Sequence, residues 1–184
     1  MKKIFLALTV LVTLGLVSCN EKSYINGPGE PNPQIPDTIP EMAGPTPTPD
    51  PEGVDVPEGT LNVYEALKIC KKLAAGAQTE DSLYVKGWIY QLDKNHASGM
   101  SSYGNATFYI CPCSDGRGAD FSIEAYRVYG KGKKPFDKTE VGLSQVQVGD
   151  FVVLRGKFTN YNNKVIETTG NGSAYIYSSS NPNF

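Results

Sequence analysis

From Thr60 onward the sequence predicts an all-β domain, a small closed barrel of five strands with one helix in front. Three observations lead there. A single run with helical periodicity comes first. Apolar residues then recur with period two in five short runs. Those runs fall into a group of three and a group of two, separated by the basic, Gly-rich connection YGKGKKPFDKTEVGLSQVQ.

The helix is expected to start at Asn62, which can cap it, with Glu65 placed three residues on as in a capping box. Val63, Ala66, Leu67, Cys70, Leu73 and Ala74 then give it one apolar face, and Gly76 marks its stop. LYVKGWIYQL, residues 83–92, is the first expected strand. Val85, Gly87 and Ile89 face one way and Lys86, Trp88 and Tyr90 the other. DKNHASGMSSYGN reads as a loop. Residues 106–111 form the second strand, with Phe108 and Ile110 inward and Thr107 and Tyr109 outward. Asp115-Gly116-Arg117-Gly118 supplies turn chemistry. The third strand covers residues 121–128, with Phe121, Ile123 and Ala125 inward and Glu124 and Tyr126 outward. FVVLRGKF, residues 151–158, is the fourth, residues 160–163 turn, and residues 164–168 are the fifth. A short sixth is expected at residues 175–177.

The N-terminal part is of another kind. The full chain has 184 residues and a formal charge of -2. Lys2 and Lys3 precede an uncharged apolar run from Ile4 to Ser18, too short to span a membrane and typical of a secretory signal, residues 1–18. Leu16-Val17-Ser18-Cys19 resembles a bacterial lipobox, which implies that Cys19 is acylated and inserts in the lipid bilayer. Asn20 differs from the aspartate that retains some lipoproteins at the inner membrane. The expected location is therefore the outer membrane, in the periplasmic or the cell-surface leaflet. Residues 20–59 hold ten of the thirteen prolines and carry a net charge of -7. So few apolar residues cannot offset ordering entropy, and residues 19–59 are read as a lipidated cysteine followed by a disordered, Pro-rich stalk. The remainder, 60–184, is one domain with a net charge of +3.

LYVKGWIYQL, NATFYI, FSIEAYRV and VGDFVVLRGKFTNYNNKVIET, spaced as they are, resemble the OB-fold lipoproteins of gut Gram-negative anaerobes. The resemblance covers most of residues 62–168 and rests on diffuse strand motifs. It implies a five-stranded OB-fold Greek-key barrel, of the superfamily that includes nucleic-acid-binding domains. One departure is Cys111-Pro112-Cys113-Ser114, inserted before the Asp115-Gly116 turn.

Nothing in the residues points to catalysis. His96 is read as a solvated loop histidine without partners for nucleophilic chemistry. No phosphate-binding glycine loop or paired carboxylate motif stands out, so no cofactor is expected. Cys111-Pro112-Cys113 with Cys70 falls short of the spacing and ligand number of a zinc site. In an exported protein disulfides persist. The open alternatives are a bridge from Cys70 to Cys111 or Cys113, or buried and free thiols.

In OB folds the outer face of the first three strands is the usual ligand surface. Here it would present Lys86, Trp88, Tyr90, Tyr109, Tyr126 and Arg127, with Tyr161 from a flanking loop. Aromatics interleaved with cations suit an extended ligand, either a single-stranded oligonucleotide or an oligosaccharide. A non-catalytic, envelope-anchored binding module is the leading expectation. Docking to another envelope protein is the alternative.

Overall fold

A computed structural model describes residues 43–170 and 172–184. The expected signal peptide, the acylated Cys19 and the stalk up to residue 42 lie outside the described residues. Among the described residues no helix is long and apolar enough to cross a membrane.

Among the described residues eight strands form one sheet. They are β1 (Leu61–Asn62), β2 (Leu83–Leu92), β3 (Ala106–Cys111), β4 (Ile123–Val128), β5 (Phe151–Gly156), β6 (Phe158–Tyr161), β7 (Val165–Thr168) and β8 (Tyr175–Ser179). Their order is β6-β7-β4-β3-β2-β5-β8, with β1 parallel beside β2. The β4–β7 pair is also parallel; the other pairs are antiparallel. Three short α-helices among the described residues accompany the sheet: α1 (Val63–Cys70), α2 (His96–Tyr103) and α3 (Glu140–Ser144). The all-β expectation holds at this level.

Helix α1 starts where the capping box places it. Asn62 Oδ1 accepts from the Glu65 amide at 3.0 Å, and the Asn62 amide donates to Glu65 Oε2 at 2.7 Å. It ends at Cys70, short of the expected stop at Gly76. Tertiary bonds override the helical pattern there. Asn160 Nδ2 donates to the Leu73 carbonyl at 2.8 Å, and the Gly76 amide donates to the Asn160 carbonyl at 2.7 Å. Those bonds draw the chain out of the helix and onto β6.

One side of the sheet is the core. Val85 and Ile89 from β2, Phe108 and Ile110 from β3, Ile123 and Ala125 from β4, Val152 and Leu154 from β5, Phe158 and Ile176 are all buried there. The apolar face of α1 closes it with Val63, Ala66, Leu67 and Cys70. Burying one such side chain contributes roughly 1.5–3 kcal/mol. Gly87 lets the helix lie on β2: a Cβ there would meet Val63 Cγ2 at 2.9 Å and the Cys111 carbonyl oxygen at 3.1 Å.

Three more elements differ from expectation. The fourth strand is broken at Lys157 into β5 and β6. The turn after it is shorter and covers residues 162–164, between the paired Tyr161 and Val165, with Asn162 and Asn163 at positive φ values of 51° and 58°. Asn160 and Tyr161 are therefore strand residues. Inside the expected loop DKNHASGMSSYGN the chain forms α2, and His96 is 4% exposed. His96 and Met100, one turn apart, both face the protein interior.

The described end of the expected stalk is not a free spacer. Residues 45–55 form a strap across the outer side of the sheet. The Tyr64 hydroxyl donates to the Pro45 carbonyl at 2.8 Å, and the Thr48 amide to the Pro112 carbonyl at 3.1 Å. Lys86 Nζ meets Asp50 Oδ2 at 2.6 Å, and the Tyr177 hydroxyl donates to Asp55 Oδ2 at 2.8 Å. A Pro-rich segment lacks the side chains to build a core. Its carbonyls and carboxylates are nonetheless good acceptors for groups a folded sheet already presents.

Candidate functional site

The outer face expected to bind ligand divides into two parts. On β2 and β5 the strap covers it. Trp88 packs edge-on against Phe151, with ring centroids 5.2 Å apart, and Pro47, Thr48 and Pro112 close a small gap of about 20 Å³ over them. Phe151 and Val153 are buried although they point away from the core. Lys86 is held by Asp50. Lys86 and Trp88 therefore belong to the covered side. Trp88 Nε1 is buried there without a hydrogen-bond partner.

The other part, over β3, β4 and β7, is open. Register aligns Gln91, Tyr109, Glu124 and Glu167 in one row across β2, β3, β4 and β7. Neighbours in such a row stand about 4.8 Å apart. Two irregularities enrich this face. Between Ile89 and Gln91 the β2–β3 register shifts, which leaves Tyr90 as an extra residue beside Gln91. Between Ala106 and Phe108 the β3–β4 register shifts, so that Tyr126 and Arg127 together oppose Thr107. Bulges of this kind re-aim side chains. Arg127 takes a φ of 49°, unusual for a residue with a Cβ, and its amide donates to Thr107 Oγ1 at 3.1 Å. Its guanidinium lies 4.9 Å from the centre of the Tyr126 ring, a cation–π contact.

Beside this row is a cleft of about 300 Å³. Thr107, Glu124, Tyr126 and Arg127 form its sheet wall. Asn95, Ser98, Gly99 and Tyr103 from α2 and its cap form the other, with Asp93 at the edge. Helix α2 can serve as a wall because its opposite face, His96 and Met100, is anchored in the interior.

The electrostatics of the row are acidic. Glu124 is pushed up to about 7, first by burial and then by the neighbouring Glu167 and Asp93 carboxylates. Glu167 is also raised, by burial. Tyr109 is raised by burial and by the same carboxylates, which places it among them. No ion pair among the described residues involves Asp93, Glu124 or Glu167. The Tyr90 and Tyr109 rings tilt against each other at 6.3 Å.

Of the expected ligand residues, the structure thus brings together Tyr90, Tyr109, Tyr126 and Arg127. Tyr161 stands apart on the β6–β7 hairpin, 51% exposed. Gln91, Asp93 and Glu167 join the site unexpectedly. Alternation from Val165 in β7 was a signal for Glu167; the bulge that turns Gln91 outward left none in the sequence.

The thiols stay apart. Cys70 lies in the main core, where burial pushes its thiol up to about 12. Cys111 and Cys113 are buried at the far end of β3, under the strap. Cys111 Sγ donates to the Cys113 carbonyl at 3.1 Å, and Cys113 Sγ to the Thr46 carbonyl at 3.3 Å. Of the two open alternatives the structure has buried, free thiols, with no bridge from Cys70 to Cys111 or Cys113, because the helix presents Cys70 to the opposite side of the sheet. Among the described residues no cluster of three metal-ligating side chains occurs. His96 corrects the reading of a solvated loop histidine. Neither ring nitrogen has a hydrogen-bond partner, and burial lowers its pKa against the opposing influence of the Thr107 backbone and Asp93. Compared with models of known protein families the chain matches none, and no curated protein matches it.

Proposed function

We propose that this protein is a non-catalytic, envelope-anchored module that binds an oligosaccharide on the open face of an OB-type barrel. Barrel closure is supported by chain continuity. Strands β5 and β6 stand far apart in the sheet order, yet only Lys157 separates them in sequence. The parallel β4–β7 pair fits the same topology. The lipobox-like Leu16-Val17-Ser18-Cys19 supports the anchor and the outer-membrane address.

One observation carries the ligand class: the row Gln91–Tyr109–Glu124–Glu167 beside a cleft walled by Tyr126 and Arg127. Tyrosine rings offer flat apolar surface to the C–H faces of a sugar. Carboxyl and amide groups suit its hydroxyls. A nucleic acid fits less well, because Asp93, Glu124 and Glu167 would face its phosphates.

The test is calorimetric titration of the full chain, solubilised in non-ionic detergent, with neutral oligosaccharides and with a single-stranded oligonucleotide. Sugar binding that Tyr126→Ala weakens about tenfold is expected, as loss of one stacking surface implies. Preference for the oligonucleotide, with affinity falling steeply in salt, would replace the sugar by a polyanion.

A further inference from the structure

The open row has a second cleft at its other end. Same-face residues in a strand lie two apart. Ser122 precedes Glu124 by two, and Val165 precedes Glu167 by two. Both line a cleft of about 400 Å³ where the β6–β7 hairpin meets α1. Leu67 and Ile166 make its apolar floor. Lys71 and Lys164 stand at its rim, with Asp120 the one carboxylate beside them. Neither lysine has an ion-pair partner among the described residues. Ser122 directly precedes β4, and from there to Tyr126 is four residues, about 13 Å of extended chain, so the two clefts flank one short track.

The charges along this track are ordered. The first cleft offers Tyr126 and Arg127 with Asp93 and Glu124, the row continues through Glu167, and the second cleft has a small cationic excess. A chain that is anionic throughout meets those carboxylates. A wholly neutral chain leaves the lysines unused.

We infer that the second cleft is the far subsite of the same track, and that Lys71 and Lys164 there take one negatively charged terminal group of an otherwise neutral oligosaccharide. This rests on the reading of the open face as a sugar site. Carboxylate, sulfate and phosphate share the required chemistry, and each can accept charge-assisted hydrogen bonds from the two ammonium groups.

Three matched probes test it on the full chain by calorimetry: a neutral oligosaccharide, the same oligosaccharide with one terminal uronic acid, and its counterpart with a uronic acid at every position. Terminally sulfated and phosphorylated versions compare the anion types. The terminal acid should bind about tenfold tighter than the neutral form, and the fully acidic chain weaker than either. Lys71→Gln with Lys164→Gln should abolish that preference while neutral binding persists. Tyr126→Ala should weaken neutral and terminally acidic probes by the same factor. Both lysines are exposed, and an unchanged thermal melt would confirm that the double variant folds. Equal binding of neutral and terminally acidic probes, or a preference that survives the lysine changes, overturns the subsite and leaves the sugar reading standing. If neither sugar binds, both readings fall together.

Discussion

The two parts of the outer surface both carry aromatic residues and ended differently. Over the part of β2 and β5 that the strap crosses, the outward side chains are Trp88, Phe151, Val153 and Lys86. Over β3, β4 and β7 they are Tyr109, Glu124, Tyr126 and Glu167, and they stay open. The four on the strap side are mostly apolar with one cation, and Arg155 lies beyond them on Tyr84. The open side mixes tyrosine with carboxylates. An aromatic residue on an outer strand face is therefore no guide to ligand binding by itself. What lies over it decides whether it is packing or site. In this chain the decision is made by a segment that sequence composition assigns to a disordered stalk.

The strongest way to break the contrast is to remove the apolar centre of the covered side. Phe151 is 1% exposed and meets Trp88 edge-on. Phe151→Ala should cost about 3–5 kcal/mol of stability, as large-to-small changes at buried aromatic sites do. A urea titration read by tryptophan fluorescence would measure this. A loss below about 1 kcal/mol would mean that the strap rides loosely and that Phe151 is solvated. A chain begun at Thr60 forfeits the same cover, so fragments meant for binding work should retain residues 43–59.

The open side carries a smaller and pH-dependent effect. Glu124 has a folded pKa of about 7, above its ordinary carboxylate value. The folded state thus holds more protons than the unfolded state between those values, and this group lowers stability as pH rises through that window. Glu124→Gln should flatten the decline and gain about 1 kcal/mol at pH 8, after allowance for partial solvent screening. Destabilisation at pH 8 would instead mean that ionised Glu124 has a favourable partner. His96 acts with the opposite sign. Burial lowers its pKa, so its contribution is intact above the unfolded histidine value of about 6.5 and is lost as pH falls below it. His96→Leu should remove that acid-side loss in thermal melts between pH 5 and pH 7, taken as about the span where an unperturbed histidine titrates. A loss that persists in the variant would assign acid sensitivity elsewhere.

How legible each part was follows from the range of the forces involved. The α1 capping box and the alternation of β2 through β4 are local, and residues Asn62, Glu65, Val85 and Ile89 announced them. The early end of α1 depends on Asn160, more than 80 residues away from Leu73 in sequence. No window around Leu73 contains that information. The tyrosines of the open site were legible because strict alternation holds at Tyr109 and Tyr126. Gln91 and Arg127 owe their direction to bulges, where one extra residue shifts the alternation. His96 was misread because its neighbours Lys94, Asn95 and Ser98 are polar. The helix that buries it turns those neighbours outward. The strap was misread for a related reason. Composition measures what a segment can bury, and the strap is held by what it can accept: hydrogen bonds at its carbonyls and a cation at Asp50.

The fastenings of the strap form a hierarchy, which the smallest effect tests. Lys86 and Asp50 meet at 2.6 Å, with side chains 26% and 34% exposed. A pair so open to water is screened, and its two side chains lose freedom in meeting, so it contributes about 1 kcal/mol or less. Asp50→Asn keeps the shape and a hydrogen-bond acceptor while removing the charge. It should lower the melting temperature by no more than about 2–4 °C, with the difference shrinking as salt is added. A larger, salt-sensitive fall would make the ion pair the main fastening of the strap. The covered side would then be a latch controlled by ionic strength, opening Trp88 and Lys86 to ligand, and the contrast with the open side would hold only at low salt. A small shift leaves the fastening with Phe151, Trp88 and the hydrogen bonds to Pro45, Thr46 and Pro112. Those contacts scarcely respond to salt, so the strap stays in place wherever the sheet is folded.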